Sequence, residues 1–104
     1  MFIIWTNELT IEFLDLYEKE IAIWDPKDQL HRNRDIVFDS WKKIKDLMSI
    51  PVDTKELKKK KESLMSTFRP LLAKKKASNK LGAGTDNVFK PSWFAYEKME
   101  TFLH

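Results

Sequence analysis

The sequence predicts an all-α fold, with a tri-helical helix-turn-helix core and an additional C-terminal helix. Apolar residues recur at spacings of three and four in four stretches, which is the period of one face of an α-helix. No stretch has the alternating pattern of a half-buried strand. Pro26 and Pro51 fall between these stretches and separate the first three helices, because proline cannot continue a helix.

Length and composition predict one domain over residues 1–104. The chain is 42% apolar and has seven Phe and four Trp, enough for a modest core at a common domain size. It has no cysteine, which excludes disulfides, cysteine metal sites and thiol catalysis. The apolar start, residues 1–5, fits either an extended segment packed on the core or a frayed end. It has no basic region typical of a signal peptide, and no stretch approaches the roughly 20 apolar residues of a membrane span.

The first helix is predicted over residues 7–20. Thr6 or Asn7 can cap it, since either side chain can accept a hydrogen bond from the first turn. Residues 21–24 close the helix, and the break follows before Pro26 because the residue preceding a proline disfavours the α region. Its apolar face comprises Leu9, Phe13, Leu16 and Tyr17.

The second and third helices are predicted over residues 34–48 and 53–76, with a short turn between them. Asp53 and Glu56 form a capping-box pattern that opens the third helix. A short turn followed by a basic helix is the layout of a helix-turn-helix unit. The apolar face of the second helix comprises Val37, Trp41, Ile44 and Met48.

The third helix contains Pro70, which predicts a kink near residues 67–69 or an end, with another helix starting at the proline. An interior proline removes one hydrogen bond and clashes with the preceding turn. Residues 77–91 are predicted as a loop, whose Gly82-Ala83-Gly84 lacks the context of a phosphate-binding loop. The final helix is predicted over residues 92–103.

Charge is concentrated on the third helix. Residues 1–50 have a net charge of −3, whereas residues 51–104 have +6, and residues 55–80 contain ten Lys or Arg against two acids. An apolar stripe of Leu57, Leu64, Phe68 and Leu71 would anchor this helix and leave a cationic side for a polyanion. We predict double-stranded DNA as the partner. The candidate contacts are Lys55, Lys58, Lys59, Ser66, Arg69, Lys74, Lys75 and Lys76.

The sequence does not predict an enzyme. Its two histidines are His31, expected to be an exposed loop residue, and His104 at the last position. We find no catalytic constellation, no metal-ligand spacing, no cofactor motif and no sign of a small-molecule substrate.

Several segments, taken together, resemble the MADF family, a Myb/SANT-like DNA-binding domain of transcription regulators and transposon-related proteins. The matching segments are FLDLYE at 13–18, IWD at 23–25, RNR at 32–34, FDSWKKI at 38–44, LKKK at 57–60, GAGTDNVFKPSWFAY at 82–96 and FL at 102–103. The resemblance implies a Myb-like core whose third helix enters the major groove, a nuclear location and a role in transcription. The chain departs from the family pattern at Leu30, Lys61 and Met65.

A protein-interaction or self-association module is the alternative function. Met65, Leu71 and Leu72, displaced by Pro70, would form an exposed apolar patch for a partner or a second copy of the chain. The solvent exposure of these three side chains distinguishes the two functions. The lysine runs 58–61 and 74–76 are also typical of a nuclear-import signal, which is compatible with either.

Overall fold

The computed structural model describes residues 3–80 and 89–103, apart from the side chains of residues 79 and 80. The described residues form five α-helices and no strand, so the all-α prediction is confirmed. The helices are α1 (Asn7–Lys19), α2 (Ile21–Trp24), α3 (Arg34–Leu47), α4 (Thr54–Lys80) and α5 (Tyr96–Glu100). The centre of the predicted loop, which includes Gly82-Ala83-Gly84, lies outside the described residues, as does His104.

The chain divides into two compact units, Met1–Lys59 and Lys60–His104. The first contains α1, α2, α3 and the start of α4, and the second contains the rest of α4 together with α5. The first unit has ten Lys or Arg and twelve Asp or Glu, a net charge of −2. The second has nine against four, a net charge of +5, so the positive charge is concentrated in the second unit.

An aromatic cluster holds α1 against α3 in the first unit. The rings of Phe13 and Trp41 stack with their centroids 6.5 Å apart, and Tyr17 lies 5.9 Å from Trp41. Trp5 meets the edge of Phe13 at 6.0 Å, so the described part of the lead-in contacts the core. Such ring pairs stabilise a core beyond the area they bury, by about 0.5–1.5 kcal/mol each.

The predicted first helix, residues 7–20, corresponds to α1, and the closing stretch 21–24 forms a separate short helix, α2. Glu20 leaves the helical region, with φ −97° and ψ 71°, and this ends α1 before α2 begins. The indole Nε1 of Trp24 donates to the carbonyl oxygen of Glu18 at 3.2 Å, which satisfies one acceptor that the end of α1 leaves open. The N-cap is Thr6, whose hydroxyl accepts from the N–H of Leu9 at 3.1 Å.

The connector between α3 and α4 is tied back to α1. Met48 adopts extended backbone, which ends α3 one residue before the predicted position. The next N–H, that of Ser49, donates to the Glu12 carboxylate at 2.8 Å across 37 positions of sequence. Val52 is buried, so the connector is held by both a hydrogen bond and apolar packing.

Asp53 caps α4 as predicted, because its carboxylate accepts from the N–H of Glu56 at 2.8 Å. We expect Asp53→Ala to lower the free energy of unfolding by about 1 kcal/mol, since an N–H of the first turn loses its partner. Urea denaturation measures this. Asp39→Ala, an exposed aspartate inside α3, is the matched control and should change stability by less than about 0.5 kcal/mol. Equal effects of the two substitutions would show that the cap contributes nothing.

Pro70 lies inside α4 and does not end it, so of the two alternatives, the start of another helix at this position is not observed. The proline leaves the carbonyl of Ser66 without its helical donor, but both residues are exposed and water can take that place. Phe68 is buried between them and anchors this turn of the helix to the core.

The C-terminal part of the chain also differs from the prediction. α4 continues to Lys80, beyond the predicted end at residue 76, since no glycine or proline interrupts it there. The final helix is shorter than residues 92–103, since it starts at Tyr96, where the N-cap residue Ala95 makes no side-chain hydrogen bond, and ends at Glu100. Hydrogen-bonded turns flank α5, from Trp93 to Tyr96 at one end and from Met99 to Leu103 at the other.

Candidate nucleic-acid interface

In the first unit, the start of α4 places three lysines in solvent. Leu57 is fully buried and orients this part of the helix, whereas Lys55, Lys58 and Lys59 are exposed. The ammonium of Lys58 lies 5.9 Å from the centroid of the Trp41 ring, near the outer limit for a cation–π interaction. Lys55 and Lys59 therefore extend into solvent, and Lys58 is partly held by the core aromatic cluster.

In the second unit, Leu64 and Phe68 are buried and fix the orientation of the rest of α4. Four of the predicted contact residues are exposed there: Ser66, Arg69, Lys74 and Lys76. The hydroxyl of Ser66 donates to the carbonyl oxygen of Ser63 at 2.8 Å, so its oxygen can still accept a hydrogen bond. Arg69 is the one arginine in the sequence of α4. It is also the α4 side chain best suited to bidentate recognition of a base or phosphate.

Lys60 and Lys61, at the start of the second unit, are both half-buried. Burial lowers the pKa of Lys60. Lys61 donates to the carboxylate of Glu62. That hydrogen bond, followed by the charges of Lys61 and Arg69, lowers the pKa of Glu62. The run of four lysines at 58–61 therefore presents a smaller charge to solvent than its sequence implies.

Lys75 differs from the other predicted contact residues. Its ammonium lies 3.0 and 2.9 Å from the two carboxylate oxygens of Glu100, and it is half-buried. It also lies 5.6 Å from the centroid of the Tyr96 ring. Glu100 already matches its charge, so Lys75 contributes to the packing of α5 on α4, and its contact with DNA stays a prediction that the proposed interface does not use.

Tyr96 completes this network. Its hydroxyl donates to Glu100 at 2.8 Å, and its ring packs 5.3 Å from Phe68. Burial, then the hydrogen bond to Glu100 and the charge of that carboxylate, raise the pKa of Tyr96 to about 12. Each of these causes favours the neutral phenol over the phenolate.

The raised pKa predicts a loss of stability at high pH. An unfolded tyrosine ionises near pH 10, whereas folded Tyr96 keeps its proton to about 12. Between these values the unfolded state binds fewer protons, so the free energy of unfolding falls as pH rises. We expect the stability difference between wild type and Tyr96→Phe to shrink over this range, as measured by urea denaturation at each pH. A stability difference that stays constant from about pH 10 to 12 would contradict the raised pKa of Tyr96.

The three residues of the alternative interaction patch are not exposed. Met65, Leu71 and Leu72 are all half-buried. The exposure that would have favoured partner binding is therefore not observed, and we do not propose this patch as a docking surface.

The described residues contain no group of side chains that could hold a metal ion. His31 is half-buried, which corrects the prediction of an exposed loop residue. Its Nδ1 donates to the carbonyl oxygen of Ala22 at 2.8 Å, because a carbonyl can only accept, and this bond ties the loop to α2. In the part of the chain that the structure describes, no helix is long and apolar enough to cross a membrane.

The described residues are all-α, and α4 has exposed lysines and one exposed arginine. Residues 13–103 match the model of the MADF DNA-binding family, described as "Alcohol dehydrogenase transcription factor Myb/SANT-like". The chain therefore belongs to the MADF family of Myb/SANT-like DNA-binding domains. No curated protein and no solved structure matches it. The matched residues extend through both compact units, and the organisation as one domain stays a prediction.

Proposed function

We propose that this chain binds double-stranded DNA through the exposed cationic residues of α4, as the DNA-binding module of a nuclear transcription regulator or a transposon-derived protein. The observation that carries the proposal is the orientation of α4 in each unit. Leu57, Leu64 and Phe68 are buried, whereas most of its cationic residues are exposed: Lys55, Lys58, Lys59, Arg69, Lys74 and Lys76. Membership of a family of DNA-binding domains supports the same partner.

The proposed interface has one group of residues in each unit. The first unit contributes Lys55, Lys58 and Lys59, and the second contributes Ser66, Arg69, Lys74 and Lys76. The lysines would neutralise phosphates, which positions a protein on DNA without reading its sequence. Arg69 and Ser66 would supply the contacts to base edges.

Base readout should be modest, because few side chains of the proposed interface suit it. Lys61 and Met65 depart from the family pattern; both are half-buried, and Lys61 contacts Glu62. We therefore expect phosphate contacts to provide most of the affinity. Tight binding would then require a second copy of the chain or a neighbouring domain.

Nuclear magnetic resonance tests where DNA binds. A ¹⁵N-labelled sample titrated with a mixed-sequence duplex should show shifts in the backbone amides of α4 near Lys55 and Lys59, and near Ser66 and Arg69. The amides of α1 should change little, because α1 contributes nothing to the proposed interface. Shifts confined to α1 and α2, or no shifts at low salt, would overturn the proposal.

A further inference from the structure

A second exposed feature of the basic unit is not used by the proposed duplex interface. Residues 89–94, with the sequence FKPSWF, contain three aromatic side chains and a lysine in six positions. Residues 89–93 have no regular secondary structure, and 94–95 form the turn before α5. This segment is part of the unit whose net charge is +5.

Phe94 has an accessible ring in this segment. Its side chain is 42% exposed, although the neighbouring Ala95 and Tyr96 are buried. The ring of Trp93 lies 5.9 Å away at an interplanar angle of 74°. An edge-to-face contact of this kind occupies at most one face of the Phe94 ring. Since the ring is part of an ordered aromatic pair and still exposed, it offers a flat apolar surface in a defined orientation.

Cations accompany this surface. Lys90 is exposed, four residues before Phe94. Lys74 is exposed as well, and its ammonium lies 4.4 Å from the centroid of the Phe89 ring. The N–H of Phe89 donates to the hydroxyl of Ser78 at 2.9 Å, which ties the start of the segment to α4. Phe89 and Phe94 are five positions apart, a distance that even a fully extended chain spans in at most about 18 Å. Lys90, and Lys74 against the Phe89 ring, are therefore within reach of a short polymer that contacts Phe94.

We propose that residues 89–94 form a binding site for single-stranded nucleic acid, in which an unpaired base stacks on Phe94 and the neighbouring phosphates contact Lys90 and Lys74. Positive charge with an exposed aromatic face is the combination that binds single strands without sequence preference. A base within a duplex is already stacked on its neighbours and cannot use the ring. This site shares Lys74 with the proposed duplex interface, but Phe94 and Lys90 belong to the single-strand site alone, so substitution of Phe94 tests it separately.

Fluorescence anisotropy with a labelled single-stranded oligothymidine tests the proposal, with a duplex of equal length measured alongside. The deciding variant is Phe94→Leu, which keeps an apolar side chain but removes the aromatic face. We expect it to weaken single-strand binding by about tenfold and to leave duplex binding within about twofold of wild type. Phe94→Trp keeps a stacking surface and should restore single-strand binding.

Phe38→Leu is the matched control, because Phe38 is 63% exposed but lies in the first unit, whose net charge is −2. It should leave single-strand affinity unchanged. Inorganic polyphosphate, a polyanion without bases, should bind wild type and Phe94→Leu equally. Circular dichroism of each variant checks that the helices are retained.

Three outcomes would overturn the proposal: no binding of oligothymidine at low salt, equal affinity of wild type and Phe94→Leu, or failure of Phe94→Trp to restore binding. A loss of polyphosphate binding in Phe94→Leu would also overturn it, because the ring would then act without base stacking. Duplex binding that persists in any of these cases leaves the proposed function intact. If the protein binds single strands through Phe94 but does not bind duplex DNA, the proposed function fails and this inference stands.

Discussion

Replacement of Lys55, Lys58 and Lys59 together by glutamate is expected to weaken binding to duplex DNA by on the order of 100-fold at about 0.1 M salt. The three lysines are exposed at the start of α4, and in the proposed complex each neutralises a phosphate. Glutamates in their place would lose those contacts and repel the backbone. Fluorescence anisotropy with a labelled mixed-sequence duplex measures the change.

The matched control for this variant is Lys19→Glu/Lys27→Glu/Lys45→Glu. These lysines are also exposed and lie in the same unit, so the net charge changes by the same amount. None of them is on α4. We expect duplex affinity to fall only a few-fold, because the overall electrostatic field of the protein becomes less positive. Comparable losses in the two triple variants would mean that net charge, rather than the position of the lysines on α4, governs binding.

Removal of the buried ring of Phe68 is expected to have the largest effect on stability in the second unit. Phe68 is almost completely buried, and its ring packs 5.3 Å from that of Tyr96. Phe68→Ala should lower the free energy of unfolding by about 3–5 kcal/mol, because it removes buried apolar surface and leaves a cavity. That is a large part of the 5–15 kcal/mol typical of a domain, so α5 and the end of α4 should lose their fixed packing.

Urea denaturation followed by circular dichroism measures this loss. Phe38→Ala makes the same chemical change at a side chain that is 63% exposed on α3, and it should cost less than about 1 kcal/mol. A small effect of Phe68→Ala would contradict the assignment of Phe68 as the anchor of α4 in its unit.

The sequence predicts the helices well where the determinants are local. The cap at Asp53 depends on a side chain and a backbone N–H three residues apart, and the structure has that bond. The burial of Leu57, Leu64 and Phe68 follows from their spacing on one side of a helix. Their burial also determines which lysines of α4 are exposed, so most of the candidate interface could be listed from the sequence.

The features that the sequence does not reveal depend on partners that are distant in sequence or on solvent that offsets a local cost. Lys75 looks like a DNA contact in the sequence, but the carboxylate that holds it, Glu100, lies 25 residues away. The end of the first helix near Glu20 agrees with the prediction, but the hydrogen bond from the Trp24 indole to the carbonyl oxygen of Glu18 could not be predicted from periodicity. Pro70 is expected from its chemistry either to kink the helix or to end it, and the helix continues past this exposed position.

The salt dependence of duplex binding tests the central claim most directly. We would measure the affinity of wild type and of Lys55→Glu/Lys58→Glu/Lys59→Glu for one mixed-sequence duplex at several salt concentrations. The log–log slope should be steep for wild type and shallower by up to about 2.7 for the variant, since each neutralised phosphate contributes about −0.9. Equal slopes, or no binding of the wild type at low salt, would contradict DNA binding through the exposed cations of α4.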